Sequence, residues 1–183
     1  MSFDQPRRRR FESVAAEVYE PLQRYLRRRV SPDDADDLLG DVLLTVWRRI
    51  DDVPVDAPLP WCYGVARRTL SNHRRASRRR LRLVERLESE PSPALLLDPA
   101  EMLEDPELAD ALALLPVADQ EILRLWGWEH LEPREIAEAL GSTSNAVSLR
   151  LTRAKRKLAD TMSRQDPPGA GHKEDRHPEE QRQ

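Results

Sequence analysis

Three residues near the C-terminus have the types and spacing that allow two helices to meet at a sharp turn. Ala137 is small enough for a close helix crossing, and Gly141, four positions later, tolerates the positive φ of a turn. Val147, six positions further on, supplies an apolar contact from the second helix. This spacing is typical of a helix-turn-helix. It also occurs in plain helical hairpins, so the residues that follow must distinguish the two.

The segment after Gly141 combines short polar side chains with cations. Thr143 can cap the second helix, and Arg150 through Lys157 include five cations and no acid. Short polar groups suit base edges in a major groove, whereas arginine and lysine suit phosphates. We expect DNA contacts from Ser144, Asn145, Ser148, Leu149, Arg150, Thr152, Arg153 and Arg156.

A second basic stretch lies in the N-terminal half of the chain. Between Asp56 and Glu85 there are eight arginines and no acid, and Trp61 and Tyr63 stand near its start. Aromatic rings beside cations suit unpaired bases, because each stacked base is worth about 1–3 kcal/mol while the cations follow the backbone. The alternative is that the rings belong to the core, which is favoured for Trp47 and remains open for the other two.

The net charge of −3 conceals an alternation of basic and acidic segments. Residues 85–110 contain nine acids and one base, and they separate the two basic stretches. A single basic run is often only a solvated helix face. Two runs, each beside a nucleic-acid-binding pattern, favour an electrostatic footprint for a polyanion.

Residues that could perform catalysis or hold a metal are scattered. The four histidines lie far apart, and no glycine-rich phosphate loop or nucleophile elbow is present. The single cysteine, Cys62, excludes an internal disulfide and a multi-cysteine zinc site, and it fits a reducing cytoplasm. No apolar run approaches the roughly 20 residues of a membrane span. We expect a cytoplasmic protein that is not an enzyme and has no cofactor, metal, small-molecule substrate or membrane insertion.

Helical periodicity organises the apolar residues. Glycine is scarce, at 6 residues, which favours helices. Ser31 and Pro32 form a strong helix start, and an apolar stripe over 35–50 marks one buried face. We expect Pro21 to kink or divide the preceding helix, and residues 51–59 to form a loop.

We predict an all-α fold of two small helical domains joined by a flexible acidic linker, the C-terminal domain containing the helix-turn-helix. The predicted segments are a basic N-terminal arm at 1–10, a three-helix domain at 11–81, the linker at 82–106, a four-helix domain at 107–162 and a disordered tail at 163–183.

Three segments resemble those of the extracytoplasmic-function sigma factors, members of the sigma-70 family. Residues 33–47 are similar to the helix by which they bind core RNA polymerase. Residues 60–75 are similar to their minus-ten-binding helix, and residues 115–154 to their minus-thirty-five-binding domain. The segments follow the family order, and the resemblance covers roughly residues 11–162.

The resemblance implies a promoter-recognition subunit of RNA polymerase. It assigns docking on the β′ clamp helices to Asp37, Leu38, Asp41 and Val42. It assigns the minus-ten strand to Trp61, Tyr63, Arg67, Arg68, Arg74 and Arg75, with the 51–59 loop receiving a flipped base. The second domain would read the minus-thirty-five major groove and rest on the β flap. An anti-sigma factor would be a further partner.

Two points qualify this interpretation. Glu132 stands where the family usually has a Ser or Thr helix cap, so we expect altered geometry at that helix start. The alternative function is a stand-alone helix-turn-helix transcriptional regulator that binds an operator without polymerase. The Asp-rich amphipathic helix over 33–47 favours the sigma factor, because a regulator of that kind has no use for it.

Overall fold

The computed structural model describes residues 5–87 and 105–165. Within these ranges every regular element is helical, and the all-α prediction is confirmed. The helices are α1 Gln5–Arg27, α2 Pro32–Arg48, α3 Pro58–Leu87, α4 Pro106–Ala113, α5 Val117–Gly127, α6 Pro133–Leu140 and α7 Ser144–Gln165, with a 3-10 turn at Ile50–Asp52. Most of the predicted linker and tail lies outside the described residues.

Helices α1, α2 and α3 form the first domain. The α2 start is as predicted, since the Ser31 side chain accepts a hydrogen bond from the Asp34 amide at 3.3 Å. The predicted stripe faces the core through Ala35, Leu38, Leu39, Val42, Val46 and Ile50, all buried. Trp47 is partly buried and meets Phe11 edge to face at 5.3 Å, so it serves packing.

Two of the sequence predictions concern helix α1. It runs through Pro21 without being divided, because Val18 and Leu22 on either side are both fully buried and their packing offsets the helix cost of proline. It also starts at Gln5, so the arginines predicted as an arm lie in the helix. Arg7 donates to the Trp47 carbonyl at 3.0 Å and Arg10 to the Val53 carbonyl at 2.6 Å, which secures that end to the domain.

Helices α4 to α7 form the second domain, and its turn is the one predicted. Gly141 has φ 64°, the left-handed conformation that favours glycine, and the Ser142 amide donates to the Ala137 carbonyl at 2.9 Å. Thr143 accepts a hydrogen bond from the Ala146 amide at 3.3 Å and so caps α7. Glu132 replaces the usual hydroxyl cap in a reciprocal capping box with Glu135.

The two domains pack directly on one another through α3 and α6. At the crossing, a Cβ added to Gly64 would lie 3.0 Å from the Ala139 carbonyl oxygen, so the backbones approach closely. Sequence reasoning did not foresee this contact. None of the helices in residues 5–87 and 105–165 is long and apolar enough to cross a membrane.

Candidate nucleic-acid interface

Helix α7 has one buried side and one polar, cationic side. Val147, Leu151 and Ala154 are buried against the rest of the second domain. The residues predicted to contact DNA lie on the other side, where Ser148 is partly buried and the others are exposed: Ser144, Asn145, Leu149, Arg150, Thr152, Arg153 and Arg156. The geometry is that of a recognition helix held by its apolar face.

A buried carboxylate on α5 positions two cations of α7. Asp119 accepts from Arg150 Nε at 2.7 Å and from Lys157 Nζ at 3.0 Å, while being only 4% exposed. Burial by itself would raise the pKa of this carboxyl, but the hydrogen bonds from Arg150 and Lys157 outweigh it and hold the pKa below its ordinary value. Sequence reasoning missed Asp119, and its one signal was an acid at an otherwise apolar helix start.

A third cation of α7 is held by an aromatic ring. Lys155 Nζ lies 3.3 Å from the centroid of Trp126, whose side chain is partly exposed at the end of α5. Within the described residues, Arg153 and Arg156 have no ion-pair partner. Of the arginines predicted to contact DNA, these two are therefore available to phosphates without breaking an internal contact.

The six residues predicted for the minus-ten strand do not form one free surface. Tyr63 is 2% exposed, and its hydroxyl donates to Glu129 of the second domain at 3.4 Å. Burial raises the pKa of Tyr63, and the Glu129 carboxylate raises it further. Arg67, Arg74 and Arg75 line a cavity between the domains.

The other two residues of that set lie elsewhere on α3. Arg68 is exposed, and Trp61 packs against the core of the first domain with the Arg49 guanidinium 5.3 Å from its ring centroid. In this arrangement, therefore, Arg68 is accessible while Tyr63 is covered by the other domain.

The residues predicted to dock on polymerase divide by burial. Asp37 and Asp41 are exposed, but Leu38 is 4% exposed and Val42 is fully buried. Leu38 and Val42 thus pack into the core that holds α2 in place, and the docking assignment of the four residues stays a prediction. Leu44, 44% exposed, lies on the same face of α2 as the two aspartates by helical spacing and was missed.

A buried polar cluster joins the domains at the end of α1. Glu129 accepts from Arg28 at 2.5 Å and from Arg29 at 3.2 Å, in addition to Tyr63. The Arg29 guanidinium stacks 3.6 Å from the Tyr25 ring centroid, and the Tyr25 hydroxyl donates to Glu121 at 3.1 Å. The hydrogen bonds to Glu129 and Glu121 cross from the first domain to the second. The stacking of Arg29 on Tyr25 lies within the first domain and holds both side chains in place for them.

The backbone next to Glu129 is strained. His130 has φ 54°, a left-handed conformation that costs a non-glycine residue about 1–3 kcal/mol unless its surroundings impose it. The Leu131 amide donates to the Leu125 carbonyl at 3.1 Å and closes this turn. This turn places the Glu129 side chain against the first domain.

Fold and site together define a helical DNA-binding protein with a helix-turn-helix in its second domain. Comparison with known families makes the definition specific. The family model for sigma-70 region 2 matches residues 11–80, and the model for sigma-70 region 4 matches residues 106–158. The chain belongs to the sigma-70 family, and it is a sigma factor of the extracytoplasmic-function type that directs RNA polymerase to promoters. It is not an enzyme.

Individual relatives agree with this assignment. The RNA polymerase sigma factor NccH of Alcaligenes xylosoxydans xylosoxydans is 27% identical over 136 residues, which cover 70% of this chain and 73% of NccH. The sigma factor RpoE, solved with the anti-sigma factor NepR from Bartonella quintana, has a TM-score of 0.60 at 20% identity, covering 84% of this chain and 96% of RpoE.

A second solved structure, CnrH with the cytosolic domain of CnrY, has a TM-score of 0.58 at 22% identity, covering 85% of this chain and 89% of CnrH. At such identities the two structures establish the common fold.

Proposed function

We propose that this sigma factor reads the minus-thirty-five element with α7 and the minus-ten strand with α3. The observation that carries the first assignment is the polar, cationic face of α7, which is exposed over a buried side formed by Val147 and Leu151. Ser144 and Asn145, in the first turn, have the short polar side chains that reach base edges. Arg153 and Arg156 supply phosphate contacts.

The minus-ten assignment rests on the cations of α3. Arg67, Arg68, Arg74 and Arg75 lie within three turns of that helix, close enough to follow one separated strand. We assign Tyr63 to the same strand once the second domain has moved away. Trp61 supports the helix start and borders the loop after Ile50–Asp52, to which we assign the flipped base.

Promoter binding requires the two domains to separate. The two promoter elements lie about two helical turns apart, which is roughly 70 Å. Eighteen residues, 88–105, connect α3 to α4 and reach at most about 60 Å at about 3.3 Å each, so the domain widths supply the remainder. The packed arrangement is therefore the form of the protein before it engages a promoter.

We assign docking on the β′ clamp helices to the outer face of α2, formed by Asp37, Asp41 and Leu44. An exposed apolar side chain beside two carboxylates suits a basic partner surface. We further propose that the second domain rests on the β flap and that the protein acts in the cytoplasm.

An anti-sigma factor is the second proposed partner. RpoE was solved with the anti-sigma factor NepR, and CnrH with the cytosolic domain of CnrY. A partner of this kind acts here by keeping the domains together, because the packed arrangement already covers Tyr63. Such a partner adds binding energy to contacts that exist in the free chain.

Run-off transcription tests the proposed function. Core polymerase is supplied with the full chain and with a promoter library, and the transcripts are sequenced at their starts. We expect defined start sites that disappear when the chain is omitted. A chain that binds DNA yet neither associates with core polymerase nor selects a start would be a stand-alone regulator, and the proposal would be abandoned.

A further inference from the structure

The gap between the two domains forms a cavity of about 600 Å³ that is partly open to solvent, a volume in the range of small-molecule sites. Its walls come from both domains and are unusually cationic. Only one acid, Glu121, lies among its lining residues, and this acid already accepts a hydrogen bond from Tyr25. The cations that line it are Arg29, Arg67, Arg74, Arg75, Arg78 and Arg150.

Two of these arginines have buried donors that find no acceptor. Arg29 is 3% exposed, and although its Nη1 is paired, its Nε and Nη2 have no hydrogen-bond partner. The Nε of Arg67 is likewise buried without a partner. These three nitrogens are shielded from the cavity as well as from solvent, so acceptor oxygens in the cavity would offset the guanidinium charges rather than bond these atoms.

The rest of the lining is apolar and comes from both sides of the gap. Leu70 belongs to the first domain, whereas Ile122 and Val147 belong to the second. A ligand that suits the whole cavity therefore has several negative oxygens at one end and a flat or apolar body at the other. Guanidinium groups pair with phosphate oxygens in a two-pronged geometry, which favours phosphate for the charged end.

We propose that this cavity binds a small organic polyphosphate, a molecule with at least two phosphate groups of the nucleotide class. Its charge offsets the mutual repulsion of Arg67, Arg74, Arg75 and Arg78, which have no carboxylate partner among the described residues, and its contacts span both domains. If the proposed function holds, the ligand stabilises the packed arrangement and competes with the promoter strand for Arg67 and Arg74.

Adenosine triphosphate and inorganic tripolyphosphate are the probes, titrated into the full chain by calorimetry at about 150 mM salt. We expect one binding site per chain. Tighter binding of adenosine triphosphate supports an organic polyphosphate. Equal binding of the two probes would overturn the organic part of the proposal, because the apolar wall would then contribute nothing. No binding of either probe overturns the proposal.

Arg78 and Arg80 provide a matched pair of variants. Both are exposed on α3 two residues apart, but only Arg78 lines the cavity. Arg78→Gln should weaken binding about tenfold and Arg80→Gln less than about twofold. Equal weakening by both would reveal unspecific attraction to a basic helix and would refute the site.

Arg67→Gln should weaken binding more than Arg78→Gln, because Arg67 is partly buried, where its charge is less screened, whereas Arg78 is exposed. These measurements need neither polymerase nor promoter, so a negative result is independent of the outcome of run-off transcription.

Discussion

The hydroxyl of Tyr63 lies 3.4 Å from Oε2 of Glu129, and the two residues belong to different domains. The same carboxylate pairs with Arg28 and Arg29. A side chain assigned to the minus-ten strand is thus part of the contact that joins the domains. Access of this side chain to DNA and separation of the domains are consequently one event.

Glu129→Gln should loosen the packed arrangement. The substitution removes the charge that faces the buried guanidinium of Arg29 and the partly buried one of Arg28, and breaking a buried pair costs about 3–5 kcal/mol. We expect a larger radius of gyration in small-angle X-ray scattering, with the helix content unchanged. Glu138→Gln is the control, because Glu138 is exposed on the neighbouring helix α6. An unchanged radius in Glu129→Gln would show that other contacts hold the domains.

Asp119→Asn should destabilise the second domain at neutral pH and matter less in acid. The folded pKa of Asp119 lies below its ordinary value, so its contribution to stability is complete above about pH 4 and is lost as the pH falls through the folded value. Urea unfolding at pH 7 and pH 3 checks this. The difference between wild type and variant should shrink at pH 3; a constant difference would point to packing rather than charge.

Arg156→Ala should weaken promoter binding in a salt-dependent manner without loss of stability. A lost phosphate contact lowers the slope of log K against log salt by about 0.9. Arg150→Ala should also reduce stability, because Asp119 then keeps only Lys157 as a partner. Binding to a minus-thirty-five duplex at four salt concentrations, together with thermal unfolding, separates the two variants. Equal salt slopes for Arg156→Ala and wild type would exclude the phosphate contact.

Asp41→Arg should reduce affinity for core polymerase by at least about tenfold while the fold is retained, since the exposed carboxylate would become a like charge at a basic surface. Glu20→Arg makes the same charge change on the exposed face of α1, outside both proposed polymerase contacts, and should leave affinity unchanged. Pull-down of core polymerase with labelled chain provides the measurement. Matched affinities for the two variants would remove Asp41 from the docking surface.

Local signals in the sequence were sufficient for the helix-turn-helix. Gly141 and Val147 are where the spacing predicts them, because a sharp turn and an apolar crossing depend on residues only a few positions apart. The cap at Ser31 was predictable for the same reason, because it depends on a hydrogen bond to Asp34, only three residues away. The buried face of α2 was also predictable, because its apolar residues recur at helical spacing.

The contact between the domains could not be predicted in this way. Glu129 and Arg28 are 101 residues apart, and neither belongs to a motif that signals a partner. Asp119 and Arg150 are separated by 31 residues and by two intervening turns. In a single sequence, a charged residue is expected to be exposed to solvent. Which charged residues become buried together depends on how the apolar faces of the helices pack, and the sequence pattern does not show this.

The close approach of the α3 and α6 backbones at Gly64 leaves little room for a side chain at that position. A methyl group there would meet the Ala139 carbonyl oxygen at 3.0 Å, whereas Gly40 on α2 has nothing within 4 Å of the same added atom. A leucine at position 64 would act as a wedge and raise the share of molecules ready for a promoter, and a leucine at position 40 would not. The absence of a side chain at Gly64 would then favour the packed arrangement over the separated one, although Gly64 itself contacts no base.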